Sequence, residues 1–143
     1  MFAVVRDIDR AFTGFATRNG PIILRVSLGI VFLWFGVLKV IDRSPVADLV
    51  ISTLFWAPEE YVVQALGVFE IVVGVGLLAG IALRAVLTMF WLQMLGTFLV
   101  FVIRPGVAFR DGNPFLLTTE GEFVVKNVVL IAAGLVVAST ARR

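Results

Sequence analysis

The chain has 143 residues, of which 60% are hydrophobic and 15% charged, and its formal net charge is +2. Soluble domains average about one half apolar and one quarter charged residues, and here the apolar excess falls in runs of about 20 residues, the length that crosses ~30 Å of hydrocarbon. This composition excludes an ordinary soluble domain and predicts one integral membrane domain over residues 1–143, with the lipid bilayer as its first partner.

The chain contains no cysteine and no histidine. Disulfides, thiol relays, zinc sites and His-ligated haem therefore cannot be built from this chain alone. Its 12 lysines and arginines are scattered along the sequence, so no basic patch follows a nucleic-acid backbone. We expect no metal site, no set of catalytic residues and no nucleic-acid partner.

Residues 2–16 predict an amphipathic helix that lies in the membrane interface, because the segment is too polar to cross. Asn19-Gly20-Pro21 is expected to break this helix, with Pro21 in the first turn of the next one. The apolar side of the segment carries Phe2, Val5, Ile8, Phe12 and Phe15, and the other side carries Arg6, Asp7, Asp9 and Arg10.

Four membrane spans are predicted at about residues 21–41, 60–81, 84–103 and 122–140. The helical period at residues 46–56 is too short to span and predicts either a second interfacial helix or a helix packed on the outer end of the bundle. The second and third spans are joined by two or three residues and therefore form an antiparallel hairpin. Thr119 and Glu122 match a capping box at the start of the fourth span. The predicted fold is all-α, an antiparallel four-helix transmembrane bundle with an N-terminal interfacial helix.

The basic residues are distributed unequally between the two sides of this predicted bundle. By the positive-inside rule, the richer side faces the cytoplasm. The sequence therefore predicts a multi-pass plasma-membrane protein with both termini cytoplasmic. The inner side receives Arg6, Arg10, Arg18, Arg25, Arg84, Arg142 and Arg143, and the outer side receives Arg43, Arg104 and Arg110.

The first span carries a polar and glycine-rich stripe on one side. At about 100° per residue, its members fall within roughly a quarter of the helix circumference. We expect this stripe to face partner helices, with Trp34 on the opposite side. The stripe consists of Arg25, Gly29, Phe32, Gly36 and Lys39.

Glu70 lies near the middle of the second span. A carboxylate at that depth costs at least a few kcal/mol unless it is paired or neutral. In the structural interpretation, Glu70 is protonated or salt-bridged to Arg25 or Lys39 and sets the helix register. In the functional interpretation, it carries protons or contacts a ligand in a cavity between helices.

Other polar residues within the spans allow a similar pair of interpretations. Lys39 and Lys126 either extend to the headgroups or line a pocket together with Gln93 and Asn127. Trp34 and Trp91 either pack in the core and against lipid or form an aromatic wall that stacks on a quinone ring. The candidate ligand-binding or intramembrane polar cluster comprises Arg25, Lys39, Glu70, Gln93, Lys126 and Asn127.

Three segments, RVSLGIVFLWFGVLK, GVFEIVVGVGLLAG and TTEGEFVVKNVVLIAAG, resemble the first, second and fourth helix signatures of DoxX-like membrane proteins, nearest to the YkgB-type branch. The resemblance covers about residues 22–140. It implies a small four-helix membrane bundle, with some relatives serving as subunits of a quinone-reducing thiosulfate oxidoreductase and others linked to oxidative or reactive-chlorine defence. The shared polar set that it implies is Arg25, Gly36, Lys39, Glu70, Lys126 and Asn127.

The leading hypothesis is a non-catalytic accessory or anchor subunit of a membrane oxidoreductase or oxidative-stress-defence assembly. Its bundle would hold a polar cavity for a quinone or lipid-like ligand, and its partners would be other membrane subunits or further copies of itself. One alternative is a small transporter or proton pathway that uses Glu70. Another is a purely structural oligomeric membrane protein, in which the intramembrane charges pair internally and leave no cavity.

Overall fold

The computed structural model describes residues 2–141, and no strand forms within that range. The predicted all-α class is confirmed. The helices are α1 (Phe2–Val40), α2 (Ala47–Thr53), α3 (Glu59–Ala79), α4 (Leu83–Thr97), α5 (Leu99–Ile103), α6 (Pro105–Ala108), α7 (Thr119–Val125) and α8 (Asn127–Ala138).

Four helical stretches are long and apolar enough to cross a membrane. The third of them joins α4 to α5 through Phe98, and the fourth joins α7 to α8 through Lys126. Both joining residues keep right-handed helical backbone angles, so each stretch continues past its joint. The prediction of four helical stretches long and apolar enough to cross a membrane is therefore confirmed. Arg142 and Arg143, which the topology prediction counts, lie outside the described residues.

The predicted break at Asn19-Gly20-Pro21 is wrong, because α1 runs through it and holds Pro21 in its interior. Proline removes one backbone hydrogen bond and crowds the preceding turn. The helical segments on both sides of Pro21 are nevertheless long enough to continue as one helix. The side chain of Thr17 donates to the Thr13 carbonyl at 2.8 Å, and that of Asn19 donates to the Phe15 carbonyl at 3.1 Å. These contacts belong to the helical turns that lead directly into Gly20 and Pro21.

The start of the fourth stretch differs by one residue from the predicted capping box. Thr118, rather than Thr119, is the N-cap of α7, and its Oγ1 accepts from the Gly121 amide at 3.1 Å. The Thr118 hydroxyl also donates to the Val107 carbonyl. This contact with α6 places Thr118 at the cap, which the local motif does not encode.

The main apolar core lies between α1, α3, α4 and α8. It combines Phe32, Leu77 and Phe90 with smaller aliphatic side chains such as Val137. The rings of Phe32 and Phe90 lie 5.0 Å apart between centroids. A second, smaller cluster joins α5, α6 and α7 around Val100. The core therefore links all four long stretches.

The outer surface of these helices is strongly apolar. Ile30, Trp34, Val68 and Leu92 are each about half exposed or more. Soluble monomers rarely expose contiguous apolar surface on this scale, and a lipid environment removes the cost of doing so. Together with the four long apolar helices, this surface identifies a membrane protein.

Candidate functional site

Glycines bring α1 and α3 into backbone contact one turn before the most deeply buried charges. A Cβ atom added to Gly36 would lie 2.6 Å from the Gly67 carbonyl oxygen, and one added to Gly67 would lie 2.7 Å from the Cβ of Lys39. Because no side chain separates the helices there, Lys39 reaches across to Glu70 on α3. Small residues at this contact thus position the charged pair.

Lys39 and Glu70 form a buried ion pair. The Lys39 Nζ atom donates to both carboxylate oxygens, at 3.0 Å to Oε1 and 2.8 Å to Oε2. Lys39 is 5% exposed and Glu70 is 6% exposed. Lys39 therefore turns inward and is the partner of Glu70, one of the two partners considered from the sequence.

Gln93 of α4 is the third member of this group. Its Nε2 donates to Glu70 Oε1, and because a carboxylate only accepts, this contact fixes which end of the amide faces Glu70. The Gln93 Oε1 atom must then point away. It is buried and has no hydrogen-bond partner within residues 2–141. Leaving such an acceptor unpaired costs about 1–3 kcal/mol, so the group retains one unused acceptor.

A second polar contact joins α8 to α4. Asn127 is 5% exposed and donates from Nδ2 to Thr97 Oγ1 at 2.8 Å. Thr97 in turn donates to the Met94 carbonyl at 2.6 Å. Residues 93 and 97 are neighbours on the surface of α4, since they are four positions apart. Buried side chains of α1, α3 and α8 and partly buried side chains of α4 therefore form two neighbouring polar contacts along α4.

We call Lys39, Glu70 and Gln93 the interior polar site. These residues were candidates from the sequence, and the structure brings them into direct contact. Asn127, also a candidate, lies in the adjoining contact with Thr97. Thr97 was not among the predicted site residues. Its hydroxyl, one turn after Gln93 within an apolar span, was the sequence feature that could have identified it.

Gln64 is a further partly buried amide that sequence reasoning missed. Its Oε1 atom is buried without a hydrogen-bond partner in the described part of the chain. Gln64 lies six residues before Glu70, which places the two side chains about 120° apart around α3. A polar amide within an otherwise apolar span was the available signal.

Arg25 does not join the interior polar site. Its Nη1 atom donates to the carbonyls of Leu77 at 2.6 Å and Leu78 at 3.4 Å, in the last turn of α3. The carbonyls of a last helical turn lack intrahelical donors, and a cation there also favours the helix dipole. Arg25 lies 14 residues before Lys39, about 21 Å along α1, so the predicted membership is corrected to a helix-capping role.

Replacing Arg25 by alanine is expected to lower the free energy of unfolding by about 1.5 kcal/mol, the lower end for hydrogen bonds from a charged group. Thermal unfolding followed by circular dichroism in mild detergent measures this change. The matched control is Arg84→Ala, since Arg84 is exposed on α4 and its loss should leave the unfolding temperature unchanged. Equal effects of both substitutions would contradict the capping role.

Lys126 and the two candidate tryptophans lie apart from the interior polar site. Lys126 is exposed where α7 meets α8, because it points about 100° away from its neighbour Asn127. Trp34 is 64% exposed on the outer side of α1. Trp91 is partly buried and donates from Nε1 to the Ile131 carbonyl of α8 at 3.3 Å. The two rings therefore lie on different surfaces and do not form one aromatic wall.

No family model, curated protein or solved structure matches the chain. The chemistry of its own buried residues is thus the basis for assigning a role. The interior polar site offers a fixed ion pair, one unpaired amide oxygen and one further lysine N–H, since two of the three ammonium protons serve Glu70.

Proposed function

We propose that the chain is a four-span plasma-membrane protein whose long helices form an antiparallel bundle, with both termini in the cytoplasm. The order of contacts along α1 and α3 supports alternating directions, since Gly29 approaches Gly74 while Gly36 approaches Gly67. The excess of arginine on the side of the termini supports the orientation.

Within this topology, we propose a non-catalytic accessory or anchor subunit of a membrane oxidoreductase or oxidative-stress-defence assembly. The resemblance to DoxX-like proteins supports membership of such an assembly. The absence of cysteine and histidine supports a role in which the chain does not bind a redox metal of its own. The subunit would hold a quinone-type ligand beside the interior polar site. The observation that carries the ligand proposal is the buried, unpaired Oε1 atom of Gln93.

The ligand class follows from the donors and acceptors that the site leaves unused. The Gln93 oxygen accepts a hydrogen bond and therefore suits a hydroxyl, such as that of a quinol. The remaining N–H of Lys39 suits a carbonyl oxygen, such as that of a quinone. A small apolar molecule with oxygens that change between hydroxyl and carbonyl matches both groups.

Binding of decylubiquinol to the reconstituted full chain tests this proposal. We expect the unfolding temperature to rise with the logarithm of the ligand concentration above the Kd, with about 2.7 kcal/mol of added stability at 100 times the Kd. The variant Gln93→Leu should lose most of this ligand-induced stabilisation while remaining folded. Gln64→Leu is the matched control, because it also removes an amide with a buried, unpaired Oε1 atom. Gln64 lies on a different face of α3 from Glu70, so this variant should keep the response.

Two outcomes would contradict the proposal: no stabilisation of the native chain by decylubiquinol, or equal stabilisation of the native chain and Gln93→Leu. The assembly has its own test. Purification in mild detergent should recover additional membrane subunits and extractable quinone, whereas a chain that always purifies alone and without quinone would argue against the accessory role.

A purely structural role is the second candidate, and the buried ion pair between Lys39 and Glu70 favours it. A buried ion pair that sets helix register requires no ligand. Under this role, Gln93→Leu should change the stability of the ligand-free protein little, because the lost hydrogen bond to Glu70 offsets the gain from removing an unpaired buried acceptor. Decylubiquinol should then have no effect on either protein.

A further inference from the structure

Helix α1 is too long to lie wholly within a membrane. Its 39 residues extend ~58 Å at 1.5 Å per residue, about twice the ~30 Å thickness of the hydrocarbon. The contacts of Arg25 and Lys39 with α3 tie the carboxyl-terminal half of α1 to the bundle. The amino-terminal arm, residues 4–18, is exposed along its whole length and must lie outside the hydrocarbon core.

The arm has one strongly apolar side. Its large apolar residues fall within about a third of the helix circumference at ~100° per residue. The charged residues of the arm fall outside this sector. All five apolar side chains are at least 57% exposed, and they are Val4, Val5, Ile8, Phe12 and Phe15.

This apolar side continues in the same direction along the rest of α1. At ~100° per residue, the exposed apolar residues of the carboxyl-terminal half occupy the same third of the circumference, with Phe35 as the exception. They face away from the bundle, where lipid surrounds a membrane protein. They are Ile22, Ile23, Ile30, Trp34, Val37 and Val40.

Pro21 lies on the opposite side of α1 from this continuous apolar stripe. It lines a cleft with Ser27 of α1 and Val136 of α8, so it faces the bundle. Proline supplies no N–H to the Thr17 carbonyl, and its ring crowds that carbonyl. Crowding on the bundle side opens the helix there, and the axis therefore bends most easily toward the apolar stripe.

We propose that in a membrane α1 bends outward at Gly20-Pro21 and that the arm lies on the lipid surface with its apolar side in the interface. A bend toward the stripe rotates the apolar side of the arm from facing outward to facing the bilayer. The polar side then faces water and presents Arg6, Asp7 and Arg10. The apolar side of the arm thus contacts the lipid interface next to the bundle.

The absence of cysteine allows a direct test by single-site labelling. Phe12→Cys places an environment-sensitive bimane label on the apolar side, and Arg10→Cys places it on the opposite side as a matched control. The full chain is reconstituted into phosphatidylcholine vesicles that contain nitroxide-labelled lipid. We expect lipid nitroxide to quench the label at 12 at least threefold more than the label at 10, and aqueous iodide to quench in the reverse order.

A third protein tests the bend itself. Pro21→Ala restores the N–H to the Thr17 carbonyl and stiffens the helix, so lipid quenching at residue 12 should fall at least twofold. Unchanged quenching in Pro21→Ala would overturn the bend at this position. Equal iodide quenching at residues 10 and 12 would overturn the proposal by showing an arm in water, and protection of both labels from both quenchers would overturn it by showing an arm covered by protein.

Discussion

Replacing Lys39 by methionine lowers the free energy of unfolding by about 3–5 kcal/mol, the range for removing one partner of a buried ion pair. The substitution leaves the Glu70 carboxylate 6% exposed with only the Gln93 amide as a hydrogen-bond donor. The charge must then stay uncompensated or take up a proton. Thermal unfolding in dodecyl maltoside, followed by circular dichroism, measures the loss.

The double variant Lys39→Met/Glu70→Gln separates the unpaired charge from the lost contact. It removes both charges and keeps a carbonyl oxygen that accepts from Gln93, so it should recover most of the stability lost in Lys39→Met. Lys126→Met is the control, because Lys126 is exposed and its loss should change stability little. A double variant as unstable as Lys39→Met would show that the charge itself is not the cause.

Alanine at Gly36 is expected to destabilise the protein by about 2–3 kcal/mol. Its Cβ would lie 2.6 Å from the Gly67 carbonyl oxygen and 2.8 Å from the Ile71 amide nitrogen. Backbone atoms cannot rotate out of the way as side chains do, so α1 and α3 must separate. That separation also lengthens the contact between Lys39 and Glu70, which adds to the cost of overpacking.

Gly96→Ala is the matched control for this effect. Gly96 also lies within a long helix, but no atom lies within 4 Å of its added Cβ. Alanine there should stabilise the protein by up to about 1 kcal/mol through its higher helix propensity. The same unfolding measurement applies to both variants, and similar changes in the two would contradict the close contact between α1 and α3.

Much of the helical framework was predictable because it depends on local properties of the chain. A run of about 20 apolar residues can satisfy its backbone within a membrane by forming a helix. The stretches containing α3 and α8 therefore ended close to the predicted bounds. Glu70 stood out for a similar reason, since a carboxylate within such a run needs a partner or a proton wherever the other helices lie.

Local signals were insufficient where a neighbouring element decided the outcome. Asn19-Gly20-Pro21 reads as a helix end, but α1 continues because one missing backbone hydrogen bond costs less than ending two strong helical segments. Thr118 and Thr119 both qualify as caps. The contact of Thr118 with Val107 selects the first, and that contact crosses the preceding loop.

The sequence by itself determined that this protein is helical, that it has four helical stretches long and apolar enough to span a membrane, and that Glu70 requires compensation, because each follows from the hydropathy and charge of a single segment. Only the tertiary structure decided which cation is the partner of Glu70. Arg25 and Lys39 lie on the same side of α1, and the glycine contact at Gly36 and Gly67 sets the register that brings Lys39 to Glu70 and Arg25 to the end of α3. Register between two helices depends on atoms of both, so neither segment alone contains it.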